Sequence, residues 1–193
     1  MARAFLALQA LFAGLFLVRE LMGYRHSGGA GSPRAEQVTS TPRAGLHLLP
    51  HAVGIAFVIW GVTNSMNARR GQLPMSPPVI AGIALLVAAW ALAFWALRVF
   101  ESWRLLPRLE AGHALCVDGP YRHVRHPIYL AMDLWAVGSV LACPWPLTLV
   151  GVVIVLVAGD LRGRAEEALL LSAFGDEYRA YKAKVSRFVP GIY

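Results

Sequence analysis

Residues 78–97 run for 20 positions without a single charge. At 1.5 Å of rise per residue such a helix covers about 30 Å, the thickness of a bilayer's hydrocarbon core. Inside lipid the backbone must satisfy its own hydrogen bonds, so a run of this kind commits the chain to helical membrane architecture. Four more apolar runs accompany it, at 4–22, 46–64, 128–142 and 146–158. The last two are short, and a buried core helix is an alternative for each. Between them lies Cys143-Pro144-Trp145-Pro146, whose prolines make a tight break and predict a helical hairpin. Composition agrees. Of 193 residues, 57% are apolar and only 15% charged, whereas a soluble domain carries roughly 25% charged residues.

The charges fall between the apolar runs. Five spans put the two chain ends on opposite sides of the membrane. With the N-terminus outside, 15 of the 18 Lys and Arg lie on the inner side, leaving Arg3, Arg69 and Arg70 outside. The positive-inside bias therefore predicts N-terminus out and C-terminus cytoplasmic. All the dense polar segments then share the cytoplasmic face, where chemistry is expected. The helix from 146 is expected to continue past Asp160 into water, ahead of a charged amphipathic tail at 162–193. The first run lacks a strong basic flank and a small-residue cleavage site, so it reads as a retained span. Cys116 and Cys143 fall on opposite faces, and no disulfide between them is expected.

A basic excess can signal nucleic acid, but here it tracks membrane topology, and the six tryptophans read as boundary or core residues. The cluster Gly28-Gly29-Ala30-Gly31 follows no strand and opens no helix, so it is linker. Without alternating strands and helices, a soluble doubly wound sheet is excluded. The chain reads as one domain, 1–193, with N-terminal spans at 1–98 and a polar, functional half at 99–193.

Two stretches carry chemistry. The first runs from Gly119 to Tyr129, GPYRHVRHPIY. Gly119-Pro120 is a turn signal. Pro127 suits the first position of a helix and forces His126 into an extended conformation. The free N–H groups of that helix start attract a carboxylate, with Arg122, Arg125 and His126 adding positive charge and Tyr121 and Tyr129 adding aromatic surface. An interfacial anchor is the alternative reading. The second stretch holds Arg162, Glu166 and Glu167, then Phe174-Gly175-Asp176-Glu177-Tyr178, Tyr181 and Arg187-Phe188-Val189-Pro190. Arg162 and Glu166 share a helix face, and an exposed ion pair of little consequence is one reading of them. The other is a paired-carboxylate site for a cation, such as a sulfonium with an α-amino group.

Together the two stretches resemble the membrane methyltransferases that include isoprenylcysteine carboxyl methyltransferases and phospholipid N-methyltransferases. Their ordered signature is Gly-x-Tyr, Arg-His-Pro-x-Tyr, Glu-Glu, Phe-Gly-x-x-Tyr-x-x-Tyr and Arg-x-x-Pro, present here between 113 and 190 over about 40% of the chain. The resemblance implies S-adenosylmethionine as methyl donor and a cytoplasmic C-terminal cofactor pocket in an all-α polytopic protein of about five transmembrane helices. It implies donor contacts at His113, Ala114, Leu115, Cys116, Tyr121, His126, Pro127, Ile128, Tyr129 and Glu166. It implies that Arg162 faces the methyl acceptor, with Arg162 and Glu166 as the residues that carry the reaction. One departure stands out: a donor-holding glutamine of the prenylcysteine enzymes would fall near Leu106. The acceptor implied is a lipophilic small molecule or a lipidated chain, reached from membrane lipid, with no metal and no nucleic acid. Whether O, N or S is methylated stays open, as does the oligomeric state.

Two rivals differ in class. Membrane sterol reductases share a similar C-terminal half and use NADPH, but they are longer and carry Arg-Asp where this chain has Glu166-Glu167. A non-enzymatic membrane scaffold would bind no cofactor. Two further features are unassigned. His47 and His51 have metal-ligand spacing without a third ligand, and Asp133 is an ionisable residue inside a span, which marks it for function or for a helix–helix hydrogen bond.

Overall fold

The computed structural model describes residues 2–27, 48–100 and 115–192. Five α-helices follow one another: α1 Ala2–Ser27, α2 Leu48–Ala68, α3 Pro77–Val99, α4 Pro127–Ala142 and α5 Pro146–Lys184. A short 3-10 turn, Gly119–Arg122, precedes α4. Among the described residues no strand forms, and one isolated parallel bridge joins Val124 to Ser186. The expected all-α membrane architecture is observed.

Length and apolarity let α2, α3 and the first part of α5 cross a membrane, while the apolar parts of α1 and α4 are shorter. Proline starts three of these helices. Pro77, Pro127 and Pro146 each sit in the first turn, where a missing N–H costs nothing. The expected hairpin is therefore α4–α5, and α5 continues well past Asp160, as the sequence indicates. Gly175 interrupts it with φ 53°, a left-handed conformation that suits glycine.

Packing is pairwise, α3 against α4 and α2 against α5, with α4 and α5 joining the pairs. Small residues permit the close approach. A Cβ on Gly82 would stand 2.6 Å from the Gly138 carbonyl oxygen, and one on Gly138 would stand 2.8 Å from that of Gly82. Phe12 of α1 stacks on Trp135 of α4 at 5.5 Å and meets Trp90 of α3 edge-on at 5.3 Å. Outward, α3 presents Ile80, Val87 and Phe94 at seven-residue spacing, each more than half exposed. Such a stripe in water would invite association, whereas in lipid it needs no cover.

The α2–α3 and α4–α5 links share one end of the bundle: Arg69 donates to the Ala142 carbonyl at 3.2 Å, and Ser65 Oγ to that of Pro144 at 3.4 Å. The opposite end holds the 3-10 turn, the start of α4 and the C-terminal tail. Cys116 and buried Cys143 are both free, one in the stretch before the turn and one at the α4–α5 link.

Candidate functional site

The C-terminal tail returns to the start of α4 through backbone pairing. Arg125 N–H donates to the Ser186 carbonyl at 2.8 Å, and His126 N–H to that of Arg187 at 3.2 Å. Side chains lock the return. Glu167 lies buried on α5 and accepts from Arg125 Nε at 3.0 Å and Nη2 at 2.9 Å. It also accepts from Arg187 Nε at 2.8 Å and Nη2 at 3.0 Å, and pairs with Lys182 Nζ at 2.8 Å. His126 Nε2 approaches the same carboxylate at 3.3 Å. Arg125 caps the carbonyls of Lys182 and Val185, and Arg187 reaches Asp160 at 3.0 Å. Burial alone would raise the Glu167 pKa, but these donors hold it far below the usual carboxylate range.

Glu166 is the adjacent residue and turns to a different side of the helix. Its side chain keeps 24% exposure against 4% for Glu167. The nearest cation is His126, whose Nδ1 stands 3.6 Å away. Burial works to raise its pKa too, yet His126 and a hydrogen bond from Tyr129 leave it below the ordinary value. His126 responds in kind: burial opposes its charge, and the two glutamates outweigh burial and raise its pKa. One imidazole thus bridges a saturated carboxylate and a more open one.

Tyr129 stands between His126 and Arg162. The His126 ring stacks on it at 5.5 Å, and the Arg162 guanidinium lies over its face at 5.0 Å. Arg162 is 3% exposed, so the exposed ion pair weighed for Arg162 and Glu166 does not describe it. Tyr121 is buried with its ring edge-on to Phe100 at 5.6 Å, and its carbonyl accepts from Tyr181 Oη at 2.7 Å. Burial, then the Glu166 charge, raises the Tyr121 pKa well above the ordinary value, so its hydroxyl stays protonated and able to donate. Gly119, with φ 58° and Val99 Cγ2 only 2.8 Å from where a Cβ would be, seats this turn against the end of α3.

Of the residues read from sequence, Tyr121, His126, Pro127, Ile128, Tyr129, Arg162 and Glu166 therefore converge. Leu115 and Cys116 enter the turn, with Cys116 packed against the core. His113, Ala114 and Leu106 lie outside the described residues. A small cavity of about 20 Å³ opens among Phe100, Tyr121, Ile128, Tyr129, Arg125, His126 and Glu166. What the sequence does not assign is the frame of Arg125, Glu167, Lys182 and Arg187 behind the site. Its signal is the tail's closing Arg187-x-x-Pro190, whose partner the sequence does not name.

Residues 79–172 match the model of the isoprenylcysteine carboxyl methyltransferase (ICMT) family. The chain is 38% identical over 81 residues to a protein-S-isoprenylcysteine O-methyltransferase of Schizosaccharomyces pombe, covering 42% of this chain and 34% of that protein. It is 41% identical over 85 residues to the one of Saccharomyces cerevisiae, covering 43% and 35% respectively. A methanethiol S-methyltransferase 1 of Bradyrhizobium diazoefficiens is 39% identical over 72 residues, covering 36% of this chain and 24% of that protein. The match thus spans about a third of the two yeast relatives.

Proposed function

From its likeness to the isoprenylcysteine carboxyl methyltransferase family, we propose that this chain is a membrane enzyme transferring a methyl group from S-adenosylmethionine to a lipophilic acceptor. The observation that carries the reading is the contrast at Glu166-Glu167. Four basic side chains engage Glu167, while Glu166 keeps an accessible carboxylate beside Tyr129, Tyr121 and His126. A part-exposed carboxylate flanked by aromatic faces suits the ammonium group at that donor's amino-acid end in charge and shape. The 20 Å³ cavity holds about one water. These side chains therefore suit one end of the donor, and its bulk needs wall beyond them, on the side of Leu115 and Cys116.

When bound, the donor supplies an electrophilic methyl group on a sulfonium. The chain's own task is then positioning and exclusion of water. Glu166 holds the ammonium group. His126, kept in place by Glu167 and by its stacking on Tyr129, fixes the Glu166 carboxylate. Arg162, buried one turn earlier on α5, directs positive charge toward an acceptor arriving through the bundle. The matched region is shared with relatives named for O-methyl and S-methyl transfer, so it does not select the methylated atom. A lipidated chain end remains within the acceptor class.

The same reading makes 1–193 a single unit and orients it with the N-terminus outside and the tail in the cytoplasm, supported by 15 of 18 Lys and Arg falling on that side. A mass-tagged maleimide should reach a cysteine introduced at Lys184 only in inside-out vesicles. Purified protein given methyl-labelled donor and a membrane lipid extract should release label into organic solvent. Label found only in water, in a folded sample that oxidises NADPH, would favour the reductase.

A further inference from the structure

We infer that a cationic cavity behind the Glu167 frame, bounded by Arg125, Lys182, Lys184 and Arg187, binds the headgroup of an anionic phospholipid. The inference goes beyond methyl transfer and does not depend on it.

The cavity comes from the way α5 ends. At 1.5 Å per residue an unbroken helix would carry Lys182 about 22 Å from Glu167. The left-handed break at Gly175 turns the last helical stretch back, and Lys182 Nζ stands 2.8 Å from the Glu167 carboxylate. The chain then passes the start of α4, where Arg125 and His126 donate to the carbonyls of Ser186 and Arg187. Between the returning helix and the residues that follow it opens a cavity of about 350 Å³, with the four basic residues, Ser186 and Ile192 in its wall. Among the described residues no carboxylate lines it.

Charge decides what the cavity holds. Glu167 and Asp160 of α5 meet Arg125, Lys182 and Arg187 from behind. Two carboxylates do not offset four cations, and Arg164 also engages Asp160. Lys184 is exposed and meets no carboxylate among the described residues. Lys184 and half-exposed Lys182 therefore make the contact, while Arg125 and Arg187 stay on Glu167 and add their field.

Place decides which anion. Arg125 stands two residues before α4, and Glu167 lies seven residues past Asp160, where the apolar part of α5 ends. Seven helical residues rise about 10 Å, so the cavity sits beside the lipid headgroups. Ile192 in its wall is 82% exposed, and neighbouring Val189 is 44% exposed. Aliphatic tips beside basic groups suit a surface that is anionic outside and oily beneath. A free phosphate would match the charge and gain nothing from these side chains.

Native mass spectrometry of the full chain in detergent tests this, with dioleoyl phosphatidylglycerol, dioleoyl phosphatidylcholine and inorganic phosphate as probes. Wild type is compared with Lys184→Gln, Lys184→Glu and Arg122→Glu, the last reversing an exposed charge outside the cavity. Wild type should bind phosphatidylglycerol in preference to phosphatidylcholine, and excess phosphate should not displace it. Affinity for phosphatidylglycerol should fall about fivefold in Lys184→Gln and on the order of 30-fold in Lys184→Glu. Phosphatidylcholine should bind all four proteins alike, and Arg122→Glu should match wild type throughout. An absent preference for the anionic lipid, or one unchanged in Lys184→Glu, would overturn the inference. So would an equal loss in Arg122→Glu, which would mean diffuse surface charge, or displacement by phosphate, which would make the ligand a soluble anion.

Discussion

Beyond the apolar part of α5, buried Glu167 meets Arg125, His126, Lys182 and Arg187 at hydrogen-bond or ion-pair distance. About two turns earlier on the same helix, around Gly159, His51 and Asp133 keep polar atoms without partners. One region spends a carboxylate and four basic side chains on holding the tail against the start of α4, and the other leaves groups unspent inside the bundle. Glu166 lies between them in character, bordered by His126 and Tyr129 yet part-exposed. A polar cluster that is fully paired builds structure, and one that is not paired is available to a ligand.

Removing the Glu167 carboxylate tests the first half of that contrast with the largest effect. Glu167→Ala leaves nearly buried Arg125 without its counter-charge and leaves Arg187 with Asp160 alone. Breaking a buried pair this way costs about 3–5 kcal/mol. A large drop in melting temperature is expected in a detergent thermal-shift measurement, and Glu166→Gln should shift it far less. Equal shifts would erase the distinction between the neighbours.

A smaller effect should follow pH. The His126 pKa is raised above its ordinary 6.5, so its stabilising charge is fully present below 6.5 and is lost as pH rises through the raised value. Glu166 and Glu167 are lowered from 4.5, so their contribution is present above 4.5 and fades as pH falls. Tail docking should therefore be tightest between 4.5 and 6.5, and the melting temperature should decline as pH climbs beyond 6.5. In His126→Gln that decline should flatten.

Two substitutions bracket the low end. Tyr181→Phe removes the hydrogen bond to the Tyr121 carbonyl and should cost about 0.5–1.5 kcal/mol in thermal or denaturant unfolding. Arg122→Ala breaks an exposed pair with Asp118, with both side chains about 70% exposed, and should move stability by less than about 1 kcal/mol. A larger loss from Arg122 would mean that the turn, and not Glu167, holds this end of the bundle.

Much of this is local and therefore legible in the sequence. Charge-free length sets the spans, and proline sets where α3, α4 and α5 begin. Pro127 and His126 stand at helix start and N-cap, although His126, with φ −125° and ψ 62°, is not in the extended conformation expected of it. The Glu167 frame is not local: its partners come from 42 residues before and 20 after, and adjacency alone could not tell Glu167 from Glu166. Arg162 reads equally as a surface ion pair or a buried group, because helix phase at the end of a span depends on which neighbours pack there. His51 and Asp133 each stand out as polar residues in apolar runs, yet only the crossing of α2, α4 and α5 brings both to Gly159. The break at Gly175 sits within a helical pattern that gives no sign of it.

The central claim is that Glu166 is the carboxylate left for the donor. Calorimetric titration of purified protein with S-adenosylhomocysteine, wild type beside Glu166→Ala, addresses it directly. The account predicts saturable binding that weakens roughly tenfold or more in the variant, since one charge-assisted hydrogen bond is worth about 1.5–3 kcal/mol. Equal affinity in a folded Glu166→Ala protein, or no binding by folded wild type, would contradict it.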